Sequence, residues 1–299
     1  MVPRMMVDCT KRDLSTELFG LTLKSPLFMA PIGVNGIMTA DQHGDLAAAR
    51  ASALTGVPYC SSTLSNDPLE AVAETQGDTP GFFQLYTPRD KALAESLVRR
   101  AEAAGYKAIV VTLDTWVTGW RPRDLNTANF PQLRGAVLMN YFSDPVFRAG
   151  LARPPEEDPA AAIRAWAGVF GKVLTWDDMP WLRSVTTLPL VLKGICHPDD
   201  ARRAIDGGAD AIYCSNHGGR QANGGIAAID MLPAVVEAAL CLWHGARRRR
   251  GRGRGAARDP RRSRPADGRE RLSDARGRAR GGRPAIVRLR HFLSLMSGT

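Results

Sequence analysis

The amino-acid sequence predicts an α/β protein, a parallel sheet covered by helices and rolled into a TIM (β/α)8-type barrel, of which about six βα units are readable. Three observations predict it. Short apolar runs alternate with amphipathic stretches, as repeated strand-then-helix units require. Helical stretches close on a glycine and a strand begins at once, at Gly56-Val57, Gly105-Tyr106 and Gly208-Ala209, because glycine accepts the left-handed conformation that stops a helix. Polar groups crowd the ends of the apolar runs: Gln84 and Tyr86, Thr112 and Asp114, Lys193, then Asn216 and His217. In a barrel that face carries the active site. The open doubly wound alternative lacks its signature, since Ala30 to Gly36 does not have the GxGxxG spacing.

In chain order, strands are expected over residues 26–30, 57–60, 82–86, 108–113, 188–193 and 211–214. Asp90 to Gly105 reads as a helix, with Leu93, Leu97, Ala101 and Ala104 recurring at three and four residues to make one buried face. Another helix is expected over residues 227–240. The segment from Thr115 to about Met179 is too long for one crossover and reads as a long loop over the barrel mouth, a candidate lid. Phe130, Leu133, Tyr141, Phe142 and Phe147 make it more apolar than a disordered insertion needs.

The chain has 299 residues and 44% apolar content, enough to bury a sizeable core. It contains no apolar run long enough to cross a membrane, and its start lacks the layout of a signal peptide, so the expected location is cytoplasmic. Five scattered cysteines without a CxxC pair argue against a disulfide framework or a zinc site, and no metal is expected. The net charge of +10 is unevenly placed: residues 241–299 hold 18 Arg, no Lys and 4 acidic residues, which leaves the rest at 22 basic and 26 acidic. The body is mildly acidic.

Lys193 closes an apolar strand, where an ammonium is costly unless it reaches solvent or faces an anion or an electron-rich ligand. His217 follows the next strand, with Arg220 three residues on and Asp114 at another strand end, the pattern of a general base oriented by a carboxylate. Arg121 and Arg123 lie in "GWRPRD", and an arginine fork is the natural clamp for a substrate carboxylate. The residues alone therefore point to a barrel enzyme that binds a small acid and moves a proton with histidine. They do not name a cofactor.

The stretches "PLFMAPIG", "SSTLS", "GFFQLYTPRD", "AIVVTLDTWVTGWRPRDL", "PLVLKGI" and "SNHGGRQANGG" resemble the FMN-dependent L-2-hydroxy acid oxidase and dehydrogenase family, and more closely its lactate 2-monooxygenase branch, over about Asp13 to Ala239. The resemblance implies FMN as cofactor, with the backbone of Pro31, Ile32 and Gly33 and the side chains of Ser62, Gln84 and Thr112 around its ring, and Lys193 facing the N1 and O2 edge. It implies His217 as the base, Asp114 as its partner, Tyr86 as a hydrogen-bonding and catalytic group on the substrate, and Arg121 with Arg220 as the carboxylate grip. The substrate implied is a small L-2-hydroxy acid, foremost L-lactate, with molecular oxygen as acceptor and acetate, carbon dioxide and water as products. A quinone-linked L-lactate dehydrogenase is the alternative in the same family, and a homo-oligomer is expected.

The chain departs from that family at both ends. The family's opening helical segment, with a substrate-binding tyrosine, has no counterpart before the first strand. After residue 240 the two strands expected to grip the FMN phosphate are replaced by "RRRRGRGRGAARDPRRSRP" and similar sequence, rich in residues of GC-rich codons. The expected organisation is a partial barrel over 1–240 and an Arg-rich, disordered, out-of-frame tail over 241–299, with FMN held weakly and little turnover. A nucleic-acid-binding arm is the distant alternative for the tail, disfavoured by the missing lysine and sparse aromatics.

Overall fold

The computed structural model describes residues 5–115, 117–222 and 224–239. The chain opens with a hairpin, β1 (Thr16–Leu18) paired antiparallel with β2 (Leu21–Leu23). Its two-residue loop, Phe19-Gly20, has φ of 53° and 80°, the doubly left-handed turn that matches strand twist. Five strands follow, β3 (Tyr59–Ser62), β4 (Gly81–Leu85), β5 (Ile109–Thr112), β6 (Leu190–Lys193) and β7 (Ala211–Tyr213). All pair in parallel and in strict sequence order. The strand expected over residues 26–30 is reduced to one parallel bridge, Met29 to Tyr59.

Six consecutive parallel positions without a reversal are the order of a barrel, not of a doubly wound sheet. The sheet also curls. Phe28, beside the first position, packs edge-on against Tyr213 of β7, ring centroids 5.4 Å apart, and against Phe82 of β4 at 5.9 Å. Residues alternate across the strands: Cys60, Phe82, Val110, Val191 and Ala211 form a small interior cluster, while Phe83, Leu85, Ile109, Val111, Leu190 and Leu192 face the helices. The β1–β2 hairpin plugs that interior with Leu18, Phe19 and Leu21. What is described is a partial (β/α)8 barrel.

Helices α1 (Gly44–Thr55), α2 (Leu69–Gln76) and α3 (Lys91–Ala103) follow the early strands, and the three expected glycine stops at 56, 105 and 208 have φ of 71°, 88° and 94°. On α3 the expected apolar face is buried at Leu93, Leu97 and Ala101, and Asp90 caps the helix by accepting from the Ala92 and Leu93 amides. Residues 228–239 are helical, as expected for 227–240. The Arg-rich tail over 241–299 lies outside the described residues.

The expectation of a lid from 115 to 179 needs correction. Short helices α4 (Pro122–Asn126), α5 (Met139–Phe142), α6 (Pro145–Ala149), α7 (Pro159–Val169) and α8 (Met179–Val185) occupy it and the start of the next unit, before α9 (Pro198–Asp206). Tyr141, Phe147 and Trp166 are buried in the outer core with Leu93 and Leu97 of α3. The physical reason is satisfied polarity as well as apolar area. Asn140 accepts from the Leu69 amide at 2.7 Å and donates to the Ser62 and Thr63 carbonyls, while Asp144 accepts from Ser96 Oγ and Arg100 Nη1. The later part of the segment is thus an outer layer. Residues 117–134 remain largely exposed, with Trp120 at 84%.

Candidate active site

The C-terminal ends of the strands present a buried polar layer inside the barrel. Ser62, Gln84, Thr112 and Lys193 occupy inward positions on four adjacent strands, one step above the apolar interior cluster. Gln84 links them: its Oε1 accepts from Ser62 Oγ at 2.9 Å, and its Nε2 donates to Thr112 Oγ1 at 2.8 Å. Gly33 borders the layer, since a Cβ there would stand 3.4 Å from Ser62 Oγ. Its neighbour Ile32 is exposed, and Pro31 is half-buried.

Asp114 gathers the charged groups. His217 Nδ1 lies 2.8 Å from Asp114 Oδ1, and Lys193 Nζ lies 3.5 Å from Asp114 Oδ2 and 3.3 Å from His217 Nδ1. With Nδ1–H donated to the carboxylate, Nε2 of His217 has no protein partner among the described residues and is available to take a proton. Lys193 is 6% exposed. Burial pushes its ammonium below the usual lysine range, and the Asp114 carboxylate opposes that shift.

The backbone that allows this is unusual. Gly194 has φ of +112°, and a Cβ there would stand 2.8 Å from Asp114 Cβ, so Asp114 can approach Lys193 only over a glycine. His217, Gly218 and Gly219 all have positive φ, 58°, 64° and 74°, which turns the histidine back toward β5 and β6. The His217 amide donates to Ser215 Oγ at 3.0 Å.

Tyr86 is half-buried against Phe170, ring centroids 5.5 Å apart. Burial pushes its phenol up to about 12, so it stays a neutral donor. Arg121 is tied to the 217–221 turn through Gln221, whose Oε1 accepts from Arg121 Nη2 and from the Gly119 amide, while its Nε2 donates to the Val117 carbonyl. The buried Nε of Arg121 has no partner. Arg220 is exposed, with no ion pair among the described residues. Arg123, the other sequence candidate for a carboxylate clamp, is exposed on α4. Sequence reasoning missed Gly194 and Gln221. The signals were present in "LKG" and "GGRQ", but their meaning depends on partners 80 and 102 residues away.

The donor set fits an isoalloxazine-like ring: a buried amide, two hydroxyls and a buried cation line one wall, with a glycine at its border. The profile of the FMN-dependent dehydrogenase family matches residues 1–242. The chain belongs to that family. The L-lactate oxidase of Lysinibacillus sphaericus is 42% identical over 237 residues, 79% of this chain and 60% of that protein. The L-lactate oxidase of Nostoc is 43% identical over 239 residues, 79% of this chain and 64% of that protein. A mandelate oxidase crystal structure with (S)-4-hydroxymandelic acid superposes with a TM-score of 0.67 at 38% identity, covering 80% of this chain and 64% of that one. The chain spans under two thirds of the length of these relatives. No helix among the described residues is long and apolar enough to cross a membrane.

Proposed function

We propose that the chain carries out FMN-dependent oxidation of a small L-2-hydroxy acid, foremost L-lactate. The observation that carries this is the His217–Asp114–Lys193 cluster, in which the base has one nitrogen held at 2.8 Å by a carboxylate and the other free. The names of the relatives support the substrate class, since the L-lactate oxidases are 42% and 43% identical.

In this reading Arg121 and Arg220 grip the carboxylate. Tyr86 donates to an oxygen of the substrate. His217 Nε2 takes a proton from the acid, and Asp114 stabilises the imidazolium that results. Ser62, Gln84, Thr112 and the backbone of Pro31, Ile32 and Gly33 would hold the flavin ring, and Lys193 would supply positive charge beside it. FMN, when bound, accepts the two electrons leaving the substrate carbon.

Molecular oxygen is the proposed acceptor, with acetate, carbon dioxide and water as products, in a cytoplasmic homo-oligomer. A quinone-linked dehydrogenase is the second reading; the L-lactate dehydrogenase of Ectopseudomonas mendocina, 35% identical over 250 residues, supports dehydrogenase chemistry without naming its acceptor. Carboxyl-labelled L-lactate turned over in air, with catalase present to remove any free peroxide, separates the two. Acetate with label in carbon dioxide supports the monooxygenase, whereas pyruvate formed only when a quinone is added supports the dehydrogenase.

A further inference from the structure

The register between β6 and β7 brings together two thiols that the proposed reaction does not use. Lys193 pairs with Tyr213, and the Gly194 amide donates to the Tyr213 carbonyl at 3.1 Å, so Cys214 and Cys196 leave the sheet side by side. The Cys196 sulfur lies close enough to act electrostatically on the Cys214 thiol. Cys196 Sγ also donates to the Ser215 carbonyl at 3.2 Å, and Cys214 Sγ to the Ala228 carbonyl at 3.4 Å. Both are half-buried, unlike the fully buried Cys60 and the exposed Cys9.

We propose that Cys196 and Cys214 are a modification site, a dithiol that a peroxide converts to a reversible disulfide beside the turn carrying His217. Cys196 sulfur attacks the peroxide, forming an S–O bond as the O–O bond breaks, and one water leaves. Cys214 sulfur then attacks the resulting sulfenic acid, the S–S bond forms as the S–O bond breaks, and the Cys214 proton departs with the hydroxide as a second water. Two thiols are oxidised and one peroxide is reduced. Burial pushes the Cys214 thiol up to about 12, and the neighbouring Cys196 sulfur raises it further.

The structural consequence reaches the base. Oxidation removes the Cys196 S–H that bonds the Ser215 carbonyl, and Ser215 Oγ is what receives the His217 amide. The tether therefore re-seats residues 214–217.

The test needs no turnover and is independent of the proposed function. The full chain is treated with hydrogen peroxide under native conditions, alkylated and digested with trypsin without reductant. Cleavage after Lys193, Arg202, Arg203 and Arg220 places Cys196 in peptide 194–202 and Cys214 in peptide 204–220. The expected result is a linked 194–202/204–220 species, two hydrogens lighter than its parts, lost on adding dithiothreitol and absent in Cys196→Ser. Denaturant should scatter the links over all five cysteines. Separate alkylation of both peptides after peroxide overturns the proposal, as does a link that forms only in denaturant or oxidation that dithiothreitol does not reverse.

Discussion

In the proposed reaction His217 would act through the difference between its two ring nitrogens, one held on Asp114 and one without a partner among the described residues. Replacing it with Gln keeps a polar group in place but removes the proton acceptor, so the rate of substrate oxidation should fall about a hundredfold to ten-thousandfold with little change in stability; a smaller loss means another base. Gly194 is set by the same cluster. Gly194→Ala meets both a forbidden φ and the Asp114 side chain, and should cost about 2–5 kcal/mol in a denaturant midpoint. Gly105→Ala, at φ of +88° with open space around its Cβ, should cost only about 1–2 kcal/mol. Away from the site, His43 Nδ1 lies 2.5 Å from Asp67 Oδ1, and that carboxylate raises the imidazole above its usual range. A group with a raised folded value stabilises fully below its unfolded value and loses that contribution as pH rises through the folded one. The Tm deficit of His43→Gln should therefore be larger at about pH 5.5 than at about pH 9; an equal deficit at both would remove the ionic explanation.

Among the elements, Asn140 shows how a polar side chain decides where a helix sits. It satisfies one amide at the start of α2 and two carbonyls at the end of β3. Asn140→Ala leaves all three buried groups without a partner, and should lower stability by about 2–5 kcal/mol and expose the 137–149 segment to protease. Stability within about 0.5 kcal/mol of the parent would show that water or neighbours replace it. The strands were legible because a buried parallel strand is apolar on both faces, and α3 because its stripe and Asp90 cap are local. The outer layer over 139–185 was not legible, because Asn140 and Asp144 act on residues far earlier in the chain. The β1–β2 hairpin was missed because its strands are three residues each, and Phe19 is an uncommon residue at positive φ.

For the whole molecule, Ser62, Gln84, Thr112, Lys193, Asp114 and His217 lie on β3 to β7 and their loops, while Pro31, Ile32 and Gly33 precede α1, all within the described residues. Their residue types were readable at the strand ends. Their mutual distances were not, because barrel curvature sets them. If residues 241–299 hold no strand that grips the FMN phosphate, as expected from the sequence, FMN and riboflavin should bind with affinities within about threefold of each other in a fluorescence titration. FMN tighter by about tenfold or more, about 1.4 kcal/mol, would show that the chain holds the phosphate after all. The central claim is that the Asp114–Lys193–His217 cluster oxidises an L-2-hydroxy acid through bound flavin. It is tested most directly by adding L-lactate, without oxygen, to the chain at saturating FMN and following the flavin absorbance. The account predicts bleaching with L-lactate, none with D-lactate, and near-complete loss in His217→Gln. Bleaching that ignores the stereocentre or survives His217→Gln, or no bleaching at all at saturating FMN, would contradict it.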